Sequence, residues 1–252
     1  MGNISSFSEF DSFVVSAREY FRQQAKQKQN EVGDTINLCF NFFKSVGKSR
    51  EPKEWENSRE EDVIKVLIKA IQVIFGMYYL SESGYYDLAL SLKRNFTELL
   101  LVAIAIGYDK QNYIDWKNDR DNFQDVHKIG KKLFSSDNIP QPEKDLIPIL
   151  LKYWDESSQL HSHQISKKAV EGGIKINNGD ITLGSHIVKE EYQIMRLNTL
   201  RNMALNVITI LLGVFDYGNL AEANRSKFPE APGLIARYNN FQQSELKSQP
   251  TI

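Results

Sequence analysis

Two runs, LLLVAIAI at residues 99–106 and VITILLGVF at 207–215, carry no charge and only a single glycine between them. A helix that is apolar on every side has to be enclosed by other elements. Each run is well short of the ~20 residues that a bilayer span needs. The reading is therefore two core helices with further helices around them, and no membrane span. With 252 residues the chain is long for one domain and short for two, so one main domain with appendages is expected. Its 41% hydrophobic and 25% charged residues suit an ordinary globular protein with a core of its own.

The helical period holds along most of the chain. Phe10, Phe13, Val14, Ala17, Tyr20 and Phe21 recur at helical spacing, as do Ile36, Cys39, Phe40, Phe43 and Val46. Gly33 is expected to separate two helices there or to bend one. A polar linker at 48–56 contains Pro52. Ser58 followed by Glu61 predicts a capping box that opens the next helix, with Val63, Leu67, Ala70, Ile71, Ile74 and Tyr78 on its inner face. A third helix is predicted from Tyr85 to Ile106, with short ones capped by Asp109 and by Asp119, the latter running through Phe134. Another follows through Leu146, Leu150, Tyr153 and His161, with Pro148 starting or kinking its main body.

The period changes in GGIKINNGDITLG, where Ile174–Ile176 and Ile181–Leu183 flank Asn177-Asn178-Gly179-Asp180. That is a hairpin signal over 173–184. A long helix is expected from Ile187 to Phe215, and the Pro-, Gln- and Ser-rich stretch from Lys227 reads as peripheral or partly disordered. No internal repeat is evident. The expected fold is an all-α multi-helix bundle with one small β-hairpin inserted before the last long helix. Its parts are N-terminal helices at 1–50, the main bundle at 57–216, and a short helix with a flexible tail at 217–252.

The balance of 31 basic and 32 acidic residues leaves a net charge of −1, so no global field draws the chain to nucleic acid or acidic lipid. One cysteine, Cys39, rules out an internal disulfide and a Cys-rich zinc cage. It lies on an apolar face, as an inert buried thiol would. A cytoplasmic setting is the default expectation. The opening MGNISS matches the loose pattern for N-myristoylation, which is short enough to arise by coincidence. No phosphate-binding glycine loop and no nucleophile elbow occurs, and no cofactor is implied. The tyrosines Tyr78, Tyr79, Tyr85 and Tyr86 gather near a helix–helix turn and suit packing or stacking.

Two groups of polar residues can carry chemistry. In KYWDESSQLHSHQIS (152–166), His161 and His163 point to nearly opposite sides of a helix, so they cannot share a metal ion. Helical spacing instead stacks Tyr153, Ser157 and His161 on one face. Arg94 and Glu98, four apart before an all-apolar segment, are expected to join them in a polar network. His161 then either orients helices or works on a substrate. In DRDNFQDVH (119–127), Arg120 and His127 stand two turns apart, ~10.5 Å along one helix. The Arg fork suits phosphate and the imidazole suits proton transfer, as metal-free RNA cleavage requires.

An all-helical bundle with Arg120-Asp121 ahead of His127 resembles the HEPN superfamily. This resemblance implies a metal-independent RNase or RNA-binding component of a bacterial defence or toxin system, working as a homodimer that joins two motifs. Arg120 and His127 would then be catalytic. Over about 85–215, the R-x3-E helix (Arg94, Glu98), the Y-x3-S-x3-H helix (Tyr153, Ser157, His161), the short insertion and the final apolar helix are similar to a group of uncharacterised bacterial helical proteins, some of them HEPN-like. The other reading is a non-catalytic module for protein interaction or dimerisation, its polar network setting helix register.

Overall fold

The computed structural model describes residues 7–49, 51–83, 86–118, 125–160, 174–177, 180–183 and 190–246. Its helices are α1 (Phe7–Gln24), α2 (Lys26–Gly47), α3 (Pro52–Trp55), α4 (Arg59–Glu82), α5 (Tyr86–Tyr108) and α6 (Lys110–Lys117). They continue with α7 (Val126–Phe134), α8 (Gln141–Leu160), α9 (Glu190–Val214), α10 (Tyr217–Ala223) and α11 (Ala231–Leu246). The fold class is all-α.

The start signals behave as helix chemistry dictates. Ser58 accepts the Glu61 amide at 3.0 Å, while Glu61 reaches back to the Asn57 amide at 2.8 Å instead of to Ser58. Asp109 caps α6 through the Asn112 amide at 2.8 Å. Two boundaries differ from expectation. Gly33 does not interrupt α2; the break from α1 falls at Ala25, whose non-helical φ and ψ of −112° and 12° end the register. The helix expected from Asp119 is not continuous through 125, because extended Asp125 caps α7 by accepting the Lys128 amide at 3.0 Å. Pro148 lies inside an unbroken α8 on an exposed position.

The core forms where α5 packs on α4 and α8, and α9 packs on α2 and α4. Phe42, Leu67, Ile74, Phe96, Leu100, Ile104, Met203, Val207 and Ile210 are sealed in it. The 99–106 run is an interior segment of α5, and Val207, Ile208, Ile210 and Leu211 of the second run are buried in α9, while 212–215 at its end are half-buried. Residues 228–246 pack more closely than their composition suggests: Phe228 and Leu234 are buried, and α11 docks on α2. Arg201 on α9 locks it. This buried guanidinium donates to the Phe241 carbonyl at 2.9 Å and to Ser244, lies over the Phe241 ring, and faces Glu31 of α2 at 3.4 Å.

Two segments, Arg59–Glu82 and Leu197–Val214, are long and apolar enough to cross a membrane by length and composition. The first holds no long uninterrupted apolar run, because Lys65 and Lys69 divide it, and its other charges lie at its ends. The α9 segment is 61% buried and the α4 segment 39%.

Candidate functional site

Helices α5 and α8 run antiparallel and are stitched through backbone carbonyls. Thr97 donates to the Leu150 carbonyl at 3.1 Å, and Ser157 is within 3.2 Å of the Leu90 carbonyl and 3.0 Å of the Tyr153 carbonyl. Ser157 therefore spends its hydroxyl on backbone oxygens. Tyr153 lies beneath Lys93, whose ammonium is 4.9 Å from the ring centroid. Helix α7 approaches α8 closely because Gly130 meets Leu151, where any side chain would press on the leucine methyls. Val126, Ile129 and Leu133 form the buried side of α7. His127, next in sequence to Val126, is consequently set at the edge of the α7–α8 seam.

Trp154 is the hub. Its indole Nε1 donates to Glu98 Oε1 at 3.1 Å, the oxygen that also accepts Arg94 Nε at 3.0 Å. The Arg94 guanidinium lies 4.9 Å from the indole centroid, and the His127 ring meets the same indole edge-on at 5.0 Å. His127 Nε2 stands 3.0 Å from Asp155 Oδ1. All four side chains are partly open to solvent, His127 at 40% and Asp155 at 47%. The arrangement puts an oriented imidazole, a guanidinium and an indole on one accessible ridge.

Two residue sets that the sequence kept apart thus meet: Arg94 and Glu98 with His127. Arg120, His161 and His163 lie outside the described residues, so neither the Arg120–His127 pair nor the His161 end of the tyrosine–serine stripe is described. Trp154 and Asp155 were missed because they lie off the Tyr153–Ser157–His161 face. The adjoining stripe, Leu151–Trp154–Asp155 at positions i, i+3 and i+4, was the available signal.

A second polar group, also missed, lies at the base of α8. Glu143 is 1% exposed; its Oε1 accepts the Tyr108 hydroxyl at 2.8 Å, and its Oε2 has no hydrogen-bond partner among the described residues. Both groups fill the space beside Gly213 of α9 where a side chain would begin. Burial pushes the Glu143 carboxyl above its ordinary range, partly offset by the Tyr108 hydrogen bond. Burial and the Glu143 charge push the Tyr108 phenol up. Cys39 is buried, its thiol donating to the Ala204 carbonyl at 3.3 Å, and desolvation drives its titration upward, so it is no nucleophile. Among the described residues, no group of three His, Cys, Asp or Glu side chains is placed to hold a metal.

Comparison with protein families, curated proteins and solved structures finds no match.

Proposed function

We propose that the chain is a HEPN-like helical protein that acts on RNA without a metal, with its site on the α5–α7–α8 ridge. The observation that supports this reading is the His127–Asp155 contact at 3.0 Å beside an indole that also carries Arg94. A carboxylate on Nε2 fixes the ring's orientation and leaves Nδ1 for a substrate proton. Facing RNA, His127 takes the proton of a ribose 2′-hydroxyl, the 2′-oxygen attacks the adjacent phosphorus, and the 5′-oxygen leaves with a proton returned by the imidazolium. Arg94 steadies the charged phosphate and Trp154 offers a face to a base. The products are a 2′,3′-cyclic phosphate and a 5′-hydroxyl. The same reading takes 173–184 as a small hairpin set before α9, the chain as cytoplasmic and the working form as a homodimer.

A second reading, a non-catalytic interaction module, is favoured by the local charge balance. Arg94 is matched by Glu98, His127 by Asp155, and Lys93 by Glu156 at 3.5 Å. A ridge so balanced lacks the basic field that RNA-binding surfaces carry. One experiment separates the two. Purified chain is incubated with single-stranded RNA in EDTA, beside His127→Ala, Arg94→Ala and His161→Ala, and the ends are analysed. The RNA reading expects cyclic phosphate ends that His127→Ala reduces by ~100-fold or more. Intact RNA with every preparation, or equal cleavage by His127→Ala, sinks it.

A further inference from the structure

Helix α4 is more apolar than its burial explains. Val63, Leu67, Ala70, Ile71 and Ile74 form its core face. A second apolar stripe, with Ile64, Ile68, Phe75 and Tyr79, lies beside it, Ile64 and Phe75 half-buried against the core and the other two open. Ile68 is 36% exposed and Tyr79 59%. Helix α2 extends this stripe: Phe40, also 36% exposed, stacks on Phe75 with centroids 6.4 Å apart. Where the stripe meets α3, Phe43, Gly47, Pro52, Trp55, Ile64 and Ile68 wall a recess of about 610 Å³. An apolar patch of this kind on a folded chain marks a contact surface.

The polar border of the recess names its occupant. Lys44 and Lys65 line it, and Lys69 is exposed one position beyond Ile68. The carboxylate in the lining, Glu61, is held by Lys65 at 2.9 Å. Lys44 and Lys69 have no carboxylate partner among the described residues. We propose that this recess receives an amphipathic helix of a partner protein, with a large apolar side chain in the recess and acidic residues toward Lys44 and Lys69. A second copy of the chain would bring its own Lys44, Lys65 and Lys69 into the same seam, a like-charge cost that an acidic partner does not carry. A bilayer offers no projecting anchor to fill a concave recess, whereas a helix does. The surface shares no residue with the ridge of Arg94, Trp154 and His127, so this inference stands apart from the RNA reading.

The test uses the full chain and fluorescence anisotropy with a labelled model peptide of about 18 residues, long enough to form a helix. The peptide carries Leu and Phe on one face and Glu on the other; a twin carries Lys in place of Glu. The Glu peptide is expected to bind, and Ile68→Glu to weaken it by roughly tenfold or more. Lys44→Glu weakens it too, while Ile149→Glu, on a distant exposed position of α8, leaves it unchanged. Equal binding of the two peptides, or indifference to both Ile68→Glu and Lys44→Glu, overturns the proposal. So does absence of peptide binding, whether or not the chain then sediments with vesicles containing phosphatidylserine. A homodimer in sedimentation that Ile68→Glu dissolves also overturns it, in favour of a second copy.

Discussion

Glu143 brings a carboxyl into an interior that disfavours charge, and Gly213 makes room for it. Water is replaced by Tyr108 on one oxygen, while Asp216, near Tyr108, and Tyr238 of α11 supply further negative or neutral groups and no cation. The sign of the resulting pH dependence follows from proton counting. The unfolded carboxyl titrates near its ordinary 4.5, and the folded one titrates higher. Below 4.5 both states are protonated and the group is neutral toward stability. As pH rises from there through the folded value, the unfolded state loses its proton first, so stability falls and then levels off. Glu143→Gln removes this dependence. The melting temperature of the variant relative to wild type is expected to be higher at pH 8 than at pH 4. Using the difference between the two pH values cancels any constant packing cost of the amide. An unchanged difference would show that the carboxyl titrates normally.

At the scale of the element, Gly33 illustrates how a local breaker is overridden. A glycine inside a helix costs backbone entropy and nothing else if its surroundings are satisfied. Here α2 buries Val32, Ile36, Cys39 and Phe43 along one face, and that burial holds the helix through position 33. A methyl group at 33 would meet no atom within 4 Å. Gly33→Ala is therefore expected to stabilise the chain by about 0.5–1 kcal/mol, read as a higher urea midpoint with an unchanged slope. Helix α7 shows the opposite case: Asp125 caps it, and the short helix gains its place from Gly130 against Leu151. Asp119 lies outside the described residues; at Asp125 the fit of Val126, Ile129 and Leu133 to the bundle sets where α7 begins.

For the whole molecule, Arg201 tests how far the C-terminal helix belongs to the core. Its guanidinium is a buried polar link joining α9, α2 and α11. Removing it loses the charge-assisted bond to the Phe241 carbonyl and the contact with Glu31, which keep Ser244 and Lys28 as their remaining partners. Arg201→Ala is expected to cost about 2–3 kcal/mol, and hydrogen exchange should show protection lost first over 231–246. Equal loss across α2 and α9 would make α11 an inseparable part of the core. Legibility in the sequence divides along the same line. The all-α class, the interior place of 99–106 and of the first part of 207–215, the caps at Ser58 and Asp109 and the buried Cys39 were readable, because periodicity and capping act within a few residues. The meeting of Arg94 and Glu98 with His127 on Trp154, the buried Glu143, the docking of α11 and the open face of α4 were not. Each depends on which helix lies against which, and residues as far apart as Glu31 and Ser244, or Arg94 and Trp154, are joined by packing that no local pattern encodes. By itself the sequence determined that helices form and which faces must be buried, since those are properties of single segments. Tertiary structure alone decided the neighbours of the polar groups, because the burial of charge and the contacts of an indole are properties of several segments at once.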